Sequence, residues 1–262
     1  MGQAVTSTAK PAAPRLANGI AIASGKGGVG KTWLSVTLSQ TLARQGHKVL
    51  LFDGDLGLAN IDIQLGLAPE KDLGGVLAGR YSLREAASPC EDGGFHVIAG
   101  RSGSGSLASV PPERLLPLCA ELIALSADYD WVVLDLGAGV ERTVRHLAAL
   151  ARTCLVVATD EPTAMTDAYA LIKLTRMHRP DADMRLVINM AQSRAEGERT
   201  YATLRKACAS FLKLTPPLAG VVQRDPKVRE AIRHQVPLLV RHPAAAAAED
   251  VEALARRVVE AP

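Results

Sequence analysis

The chain has 262 residues, 48% of them hydrophobic and 22% charged, with a formal net charge of +3. That is enough to bury a substantial core, and too little positive charge to imply nucleic-acid binding by itself. Aromatic residues make up only 3%, which argues against the ring-stacking platforms that hold single-stranded nucleic acid.

Residues 1–18, rich in Ala, Pro, Ser and Thr, read as a flexible tail, and residues 19–262 as one domain. The tail lacks a signal peptide's apolar stretch, and no apolar run approaches the roughly 18 residues of a membrane span. A cytoplasmic protein is the expectation. The first element is a strand at 19–24 ("GIAIAS"), followed by "GKGGVGKT" and a helix over 31–46. Gly25, Gly30, Lys31 and Thr32 satisfy G-x-x-x-x-G-K-[ST] between a strand and a helix, the context that this motif requires. Gly25, Gly27, Gly28 and Gly30, with Val29 among them, let successive backbone N–H groups line a concavity for phosphate oxygens. The helix N-terminus adds partial positive charge, Lys31 can reach the β- and γ-phosphates, and the Thr32 hydroxyl can ligate Mg²⁺. Such a loop needs one lysine, so Lys26 calls for a second role. Trp33 is bulky at a position that lies close to phosphate.

A strand at 48–53 comes next and runs into "LFDGDLGLAN". Asp55 points into the cleft and can orient or deprotonate an attacking water; Asp53 reads equally as a turn former. A strand at 95–100 and a helix at 112–127 precede a strand at 131–136, which carries Asp135 near its end, in place to hold Mg²⁺ through water. Gly137 and Gly139 after it let the backbone approach a γ-phosphate. Then come a helix at 141–151, a strand at 154–159, a helix at 163–178, a strand at 184–190, a helix at 195–211, a strand at 217–222 and helices at 226–234 and 244–260.

Most of these strands are apolar on both faces, as in a parallel sheet covered by helices on each side. The pattern predicts an α/β domain with a single doubly wound, mostly parallel sheet, and ligands at the carboxyl ends of its strands. Cys90, Cys119, Cys154 and Cys208 have no paired spacing, which argues against a zinc or iron–sulfur site within the chain. In the last helix Val251, Leu254, Ala255 and Val258 form one apolar stripe with a single Leu. It reads as a core helix rather than a membrane anchor, so direct membrane binding is expected to be weak or absent. Between 200 and 245, Arg205, Lys206, Lys213, Arg224, Lys227, Arg229, Arg233 and Arg241 face only Asp225 and Glu230. Solvated helix faces are the plainer reading, and weak nucleic-acid binding the other.

"KGGVGKT", with its extra Lys26, resembles the deviant Walker A motif of the MinD/ParA ATPases, which are P-loop NTPases of the SIMIBI type. "DGDLGLANIDIQLGL" and "DEPTAMTDAYALIK" are similar to the flagellar-number branch of that family, and the resemblance spans about residues 19–260. It implies a slow ATPase that uses ATP and Mg²⁺ and forms a homodimer with ATP. In such a dimer Lys26 reaches the nucleotide of the other subunit. Such a switch acts through flagellar or polar-localisation proteins, recruited to a cell pole, on the placement or number of a polar organelle. The resemblance also assigns Asn189 to the adenine, with Asp225, in "VVQRDPKV", as a contact to the base. The alternative within the family is a ParA-type partition ATPase that binds DNA without sequence preference through the basic stretch. Two departures stand out. Trp33 occupies a position usually held by Thr, Ser or Asn, so reduced nucleotide affinity is expected. Only "GQA" at Gly2 to Ala4 matches the Asp-Gln-Ala segment by which flagellar members stimulate a partner GTPase.

Overall fold

The structure is a computed structural model, and it describes residues 15–100 and 111–260. Most of the expected tail lies outside these residues. Strand β1 (Leu16–Ser24) begins three residues before its expected start, because Leu16 is fully buried and paired with Ala151. Helix α1 (Lys31–Arg44) and strand β2 (Val49–Gly54) follow. Three short helices come next, α2 (Ile61–Leu65), α3 (Leu73–Leu77) and α4 (Leu83–Ala86). Each is under two turns long, too short for a helical hydrophobic period to register. Caps define two of them: the Asp72 side chain accepts from Gly75 N, and Ser82 and Glu85 form a reciprocal capping box.

Strand β3 (Ser88–Cys90) pairs antiparallel with β4 (Phe95–Ile98). Pro89 hides β3 from a sequence reading, since proline within a sheet is confined to edges, where β3 lies. The chain continues through α5 (Pro112–Ser126), β5 (Trp131–Ala138), α6 (Arg142–Leu150), β6 (Ala151–Ala158), α7 (Pro162–His178), β7 (Asp183–Ala191), α8 (Arg194–Leu212) and β8 (Leu218–Gln223). Helices α9 (Pro226–Arg233), α10 (Leu238–Arg241) and α11 (Ala246–Glu260) complete it.

The eight strands are ordered β3-β4-β2-β5-β1-β6-β7-β8, parallel except at the β3–β4 edge. Alternation along β1 shows how both faces are used. Ile20 and Ile22 join a core layer with α1, α9 and α11, while Ala21 and Ala23 join the opposite layer with α5, α6, α7 and α8. Parallel pairing brings the carboxyl ends of β1, β2, β5, β6, β7 and β8 to one edge, where ligands bind in such sheets.

In α11, Val251, Leu254, Ala255 and Val258 are all buried in the α1 layer. No described helix is long and apolar enough to cross a membrane. The basic stretch of the sequence does not form a single surface. Helix α8, carrying Arg205 and Lys206, packs on one face of the sheet, and α9, carrying Arg229 and Arg233, packs on the other. This is a property of the winding, because β8 lies between the two helices in the chain.

Candidate nucleotide-binding site

The glycine loop leaves β1 at Ser24 and enters α1 at Lys31. Ser24 Oγ donates to the Lys26 carbonyl at 2.6 Å, and Gly139 N, after β5, donates to the Ser24 carbonyl at 2.9 Å. The two loops are thereby held together. Gly25 is required by close approach: a Cβ there would lie 2.2 Å from the Asp167 carbonyl oxygen on α7. Gly30 has φ +88° and a Cβ would lie 2.5 Å from Asn189 Nδ2, so both backbone sign and space demand glycine. Around Gly28 nothing lies within 4 Å of a Cβ position, which leaves the loop open there.

Lys31 is only 8% exposed. Burial lowers its pKa from the ordinary lysine value, against the opposing pull of the Asp135 and Asp55 carboxylates. A desolvated cation beneath an open glycine loop is an arrangement that a polyphosphate fits. Thr32 donates its hydroxyl to Asp135, and Ser35 Oγ lies 2.9 Å from Asp135 Oδ1 and 3.0 Å from the Lys31 carbonyl, sharing its proton between them. Asp135 is fully buried, and burial raises its carboxyl to about 6 despite those hydrogen bonds and Lys31. The Thr32 hydroxyl and the Asp135 carboxylate are hard oxygen donors side by side, the chemistry that Mg²⁺ prefers.

Asp53 sits opposite Asp135 across β2 and β5. It accepts from Asp55 N at 3.2 Å and Ile61 N at 3.4 Å. Burial, reinforced by the Asp135 charge, pushes its carboxyl up to about 8. It is thus a buried carboxylic acid that also fixes the turn. Asp55 is half-buried, accepts from Leu58 N at 3.0 Å, and lies against Gly137, where a Cβ would be 3.2 Å from Asp55 Oδ1. It stands between the β2 and β5 loops, at the mouth of the glycine loop.

Beside the loop a cleft of about 360 Å³ is lined by Gly30, Trp33, Asn189, Met190, Asp225 and Ile232, among others. The fold thus brings Asn189 and Asp225 together, although they lie 36 positions apart in the chain. Asn189 Nδ2 donates to the Val29 carbonyl at 2.8 Å, clasping the loop from the end of β7. Asp225 caps α9, accepting from Lys227 N at 2.9 Å and Ala247 N at 3.4 Å. Trp33 is 5% exposed and packs into the α1 layer.

Lys26 is turned toward α7. Its ammonium pairs with Glu161 and donates to Thr163 Oγ1 at 2.8 Å. Sequence reasoning missed Ser35, Glu161 and Thr163. Ser35 lies one helical turn beyond Lys31, so its face could have been anticipated. Glu161 and Thr163 follow β6, and their nearness to the loop depends on β6 lying beside β1.

A mostly parallel sheet with helices on both faces, a glycine loop between its central strand and first helix, and a buried lysine at its edge define a P-loop nucleotide-binding domain. The description "CobQ/CobB/MinD/ParA nucleotide binding domain" matches residues 20–238. Antiactivator FleN of Pseudomonas aeruginosa is 38% identical, over 91% of this chain and 85% of its own length. The flagellum site-determining protein YlxH of Helicobacter pylori is 32% identical, over 82% of this chain and 73% of its own. The crystal structure of the cell division ATPase MinD from Pyrococcus furiosus superposes with a TM-score of 0.79 at 25% identity, covering 93% of this chain and 98% of that one. The chain belongs to the CobQ/CobB/MinD/ParA nucleotide-binding family. Within it, it is a MinD/ParA-type ATPase similar to flagellar regulators.

Proposed function

We propose that this protein is an ATP-dependent dimerising switch that regulates the number or placement of flagella through protein partners. The observation that carries the reading is the second loop lysine. Lys26 is engaged by exposed groups at the start of α7 rather than by the loop interior, which leaves its charge exchangeable with the phosphates of a second subunit. The similarity to FleN and YlxH supports flagella as the organelle.

In this reading Lys31 and the backbone N–H groups of residues 25–32 hold the ATP phosphates, and Asn189 and Asp225 border the adenine. Thr32 and Asp135 hold Mg²⁺, which when bound neutralises charge on the β- and γ-phosphates. Asp55 orients a water in line with the γ-phosphorus and takes its proton as ADP leaves and inorganic phosphate forms. Lys26 of one subunit offsets charge at the other subunit's phosphates, so ATP favours the dimer and hydrolysis dissolves it. Partners then read the dimer at a cell pole.

Light scattering with Mg²⁺ and either ATP or ADP tests the switch: a dimer with ATP alone is expected, and equal mass in both overturns it. Deleting the gene in its own host and counting flagella per cell tests the organelle. Unchanged number and position would overturn that assignment.

A further inference from the structure

Met190 stands in a backbone conformation that its side chain disfavours. Its φ is +58°, in the left-handed region. The other described non-glycine residues with positive φ, Lys213 and Gln235, lie just past α8 and α9, where a left-handed residue is ordinary. Met190 alone of the three lies inside a strand. The register of β7 shows the cause. Ile188 is paired with Val221 and Ala191 with Gln223, so Asn189 and Met190 together face the single residue Val222. Such a bulge re-aims the side chains of its strand. Glycine or asparagine would occupy this backbone at lower cost, so strain beside a ligand cleft points to a use for the methionine itself.

The Met190 side chain is half-buried and lines the cleft, with its terminal methyl beside the glycine loop: a Cβ on Gly30 would lie 3.3 Å from Met190 Cε. Val228 and Ile232 of α9 add apolar lining, and Asn189 and Asp225 add polar groups. Apolar walls with a few polar groups suit a flat ligand with polar edges. A thioether is polarisable, adapts to the shape of its neighbour and makes favourable contacts with aromatic rings. We infer that Met190 is a base-contacting residue of the cleft, its bulged backbone turning the thioether and methyl against the nucleobase. The inference rests on the nucleotide reading of the cleft. Lys31 and the loop N–H groups act on the phosphates, so the contribution of Met190 is separable from theirs.

The test sets Mg-ATP against inorganic tripolyphosphate, which carries the phosphates and no base. With isotopically labelled methionine methyl groups, the Met190 resonance is identified among the five methionines by its loss in Met190→Leu. In the parent protein it should move upfield with saturating ATP, under the ring current of the base, and move little with tripolyphosphate. A resonance that stays in place with ATP, or moves equally with both ligands, overturns the inference. Calorimetric titration of Met190→Gly supplies a second reading. This substitution removes the side chain and suits the positive φ, and should weaken ATP binding about threefold to tenfold. Its affinity for tripolyphosphate should match the parent's. Equal ATP binding by the variant overturns the inference, and so does a parallel loss for both ligands, which marks a role in holding the loop. A parent protein that binds no ATP overturns the nucleotide reading together with the inference. If the parent binds ATP and only the Met190 readouts fail, the nucleotide reading stands and the inference falls.

Discussion

The Lys26 ammonium is paired with the Glu161 carboxylate of its own chain and hydrogen-bonded to Thr163 Oγ1. Hydrogen bonding and charge from Lys26 hold the Glu161 carboxyl below its ordinary value. The two side chains are 36% and 61% exposed, and water and salt screen surface pairs of this kind, so they contribute little. The contact is therefore strong enough to park the lysine and weak enough to yield to a polyphosphate. Glu161→Gln should free Lys26 and shift ATP-dependent dimerisation to lower protein concentration by up to about fivefold. Lys26→Ala should bind ATP through Lys31 and Thr32 yet remain monomeric, with turnover reduced toward the lower end of the 10³ to 10⁵ range of trans-acting cations. Asp55→Ala should accumulate the ATP dimer. Light scattering and phosphate release decide all three, and normal hydrolysis by Lys26→Ala would remove the trans role.

Lys31→Ala should abolish nucleotide binding, because nothing else buried in the loop carries positive charge. Ser35→Ala is a subtler test. It leaves the buried Asp135 carboxylate with one donor fewer, which should cost about 1–3 kcal/mol of stability in urea melts. It should also raise the Mg²⁺ concentration needed for activity. A neutral outcome in both assays would mean that the Ser35 proton stays on the Lys31 carbonyl.

Two loop glycines should respond differently to alanine. Gly25→Ala drives a Cβ to 2.2 Å from the Asp167 carbonyl, so α7 must shift and Lys26 lose its partners. A loss of about 3 kcal/mol, together with nucleotide binding, is expected. Gly28→Ala meets no atom within 4 Å and suffers only from φ +79°, a cost of about 1–2 kcal/mol. Thermal melts of the two variants test the order.

Asp53 and Asp135 have folded pKa values raised to about 8 and about 6, from the ordinary carboxyl value of 3.8. Between pH 4 and 8 the metal-free native protein thus holds protons that the unfolded chain has released. Unfolding free energy falls as pH rises through that window, by up to about 1.4 kcal/mol per pH unit for each group titrating. Asp53→Asn removes the larger of the two contributions. The variant should melt near the parent at pH 5 and clearly above it at pH 8. A parent melting temperature that rises from pH 5 to 8 would contradict this.

Helices α8 and α9 cover opposite faces of the sheet, so a DNA duplex cannot lie along the whole basic stretch of one subunit. Each phosphate neutralised contributes about 0.9 to the log–log salt slope. Any DNA affinity should therefore have a shallow slope, changed by charge reversal of either Arg205 and Lys206 or Arg229 and Arg233, but not by both. A steep slope that depends on both pairs would favour the partition-type alternative.

The sequence alone determined the parallel α/β class, the glycine loop, Lys31, Thr32 and the strand ends at Asp55 and Asp135. These signals are local: apolar runs flanked by glycine, and fixed spacings within a few residues of one strand or helix. The short helices α2, α3 and α4 and the edge strand β3 were too brief, or too interrupted by Pro89, to leave a period. Tertiary structure decided what lies far apart in the chain. Glu161 meets Lys26 across 135 positions, and Ser35 meets Asp135 across 100. Both contacts follow from β1 lying between β5 and β6, an order that no local pattern encodes. The same winding split the basic stretch between two faces and set Trp33 into the wall of the cleft, because only long-range pairing of strands chooses which helix covers which side.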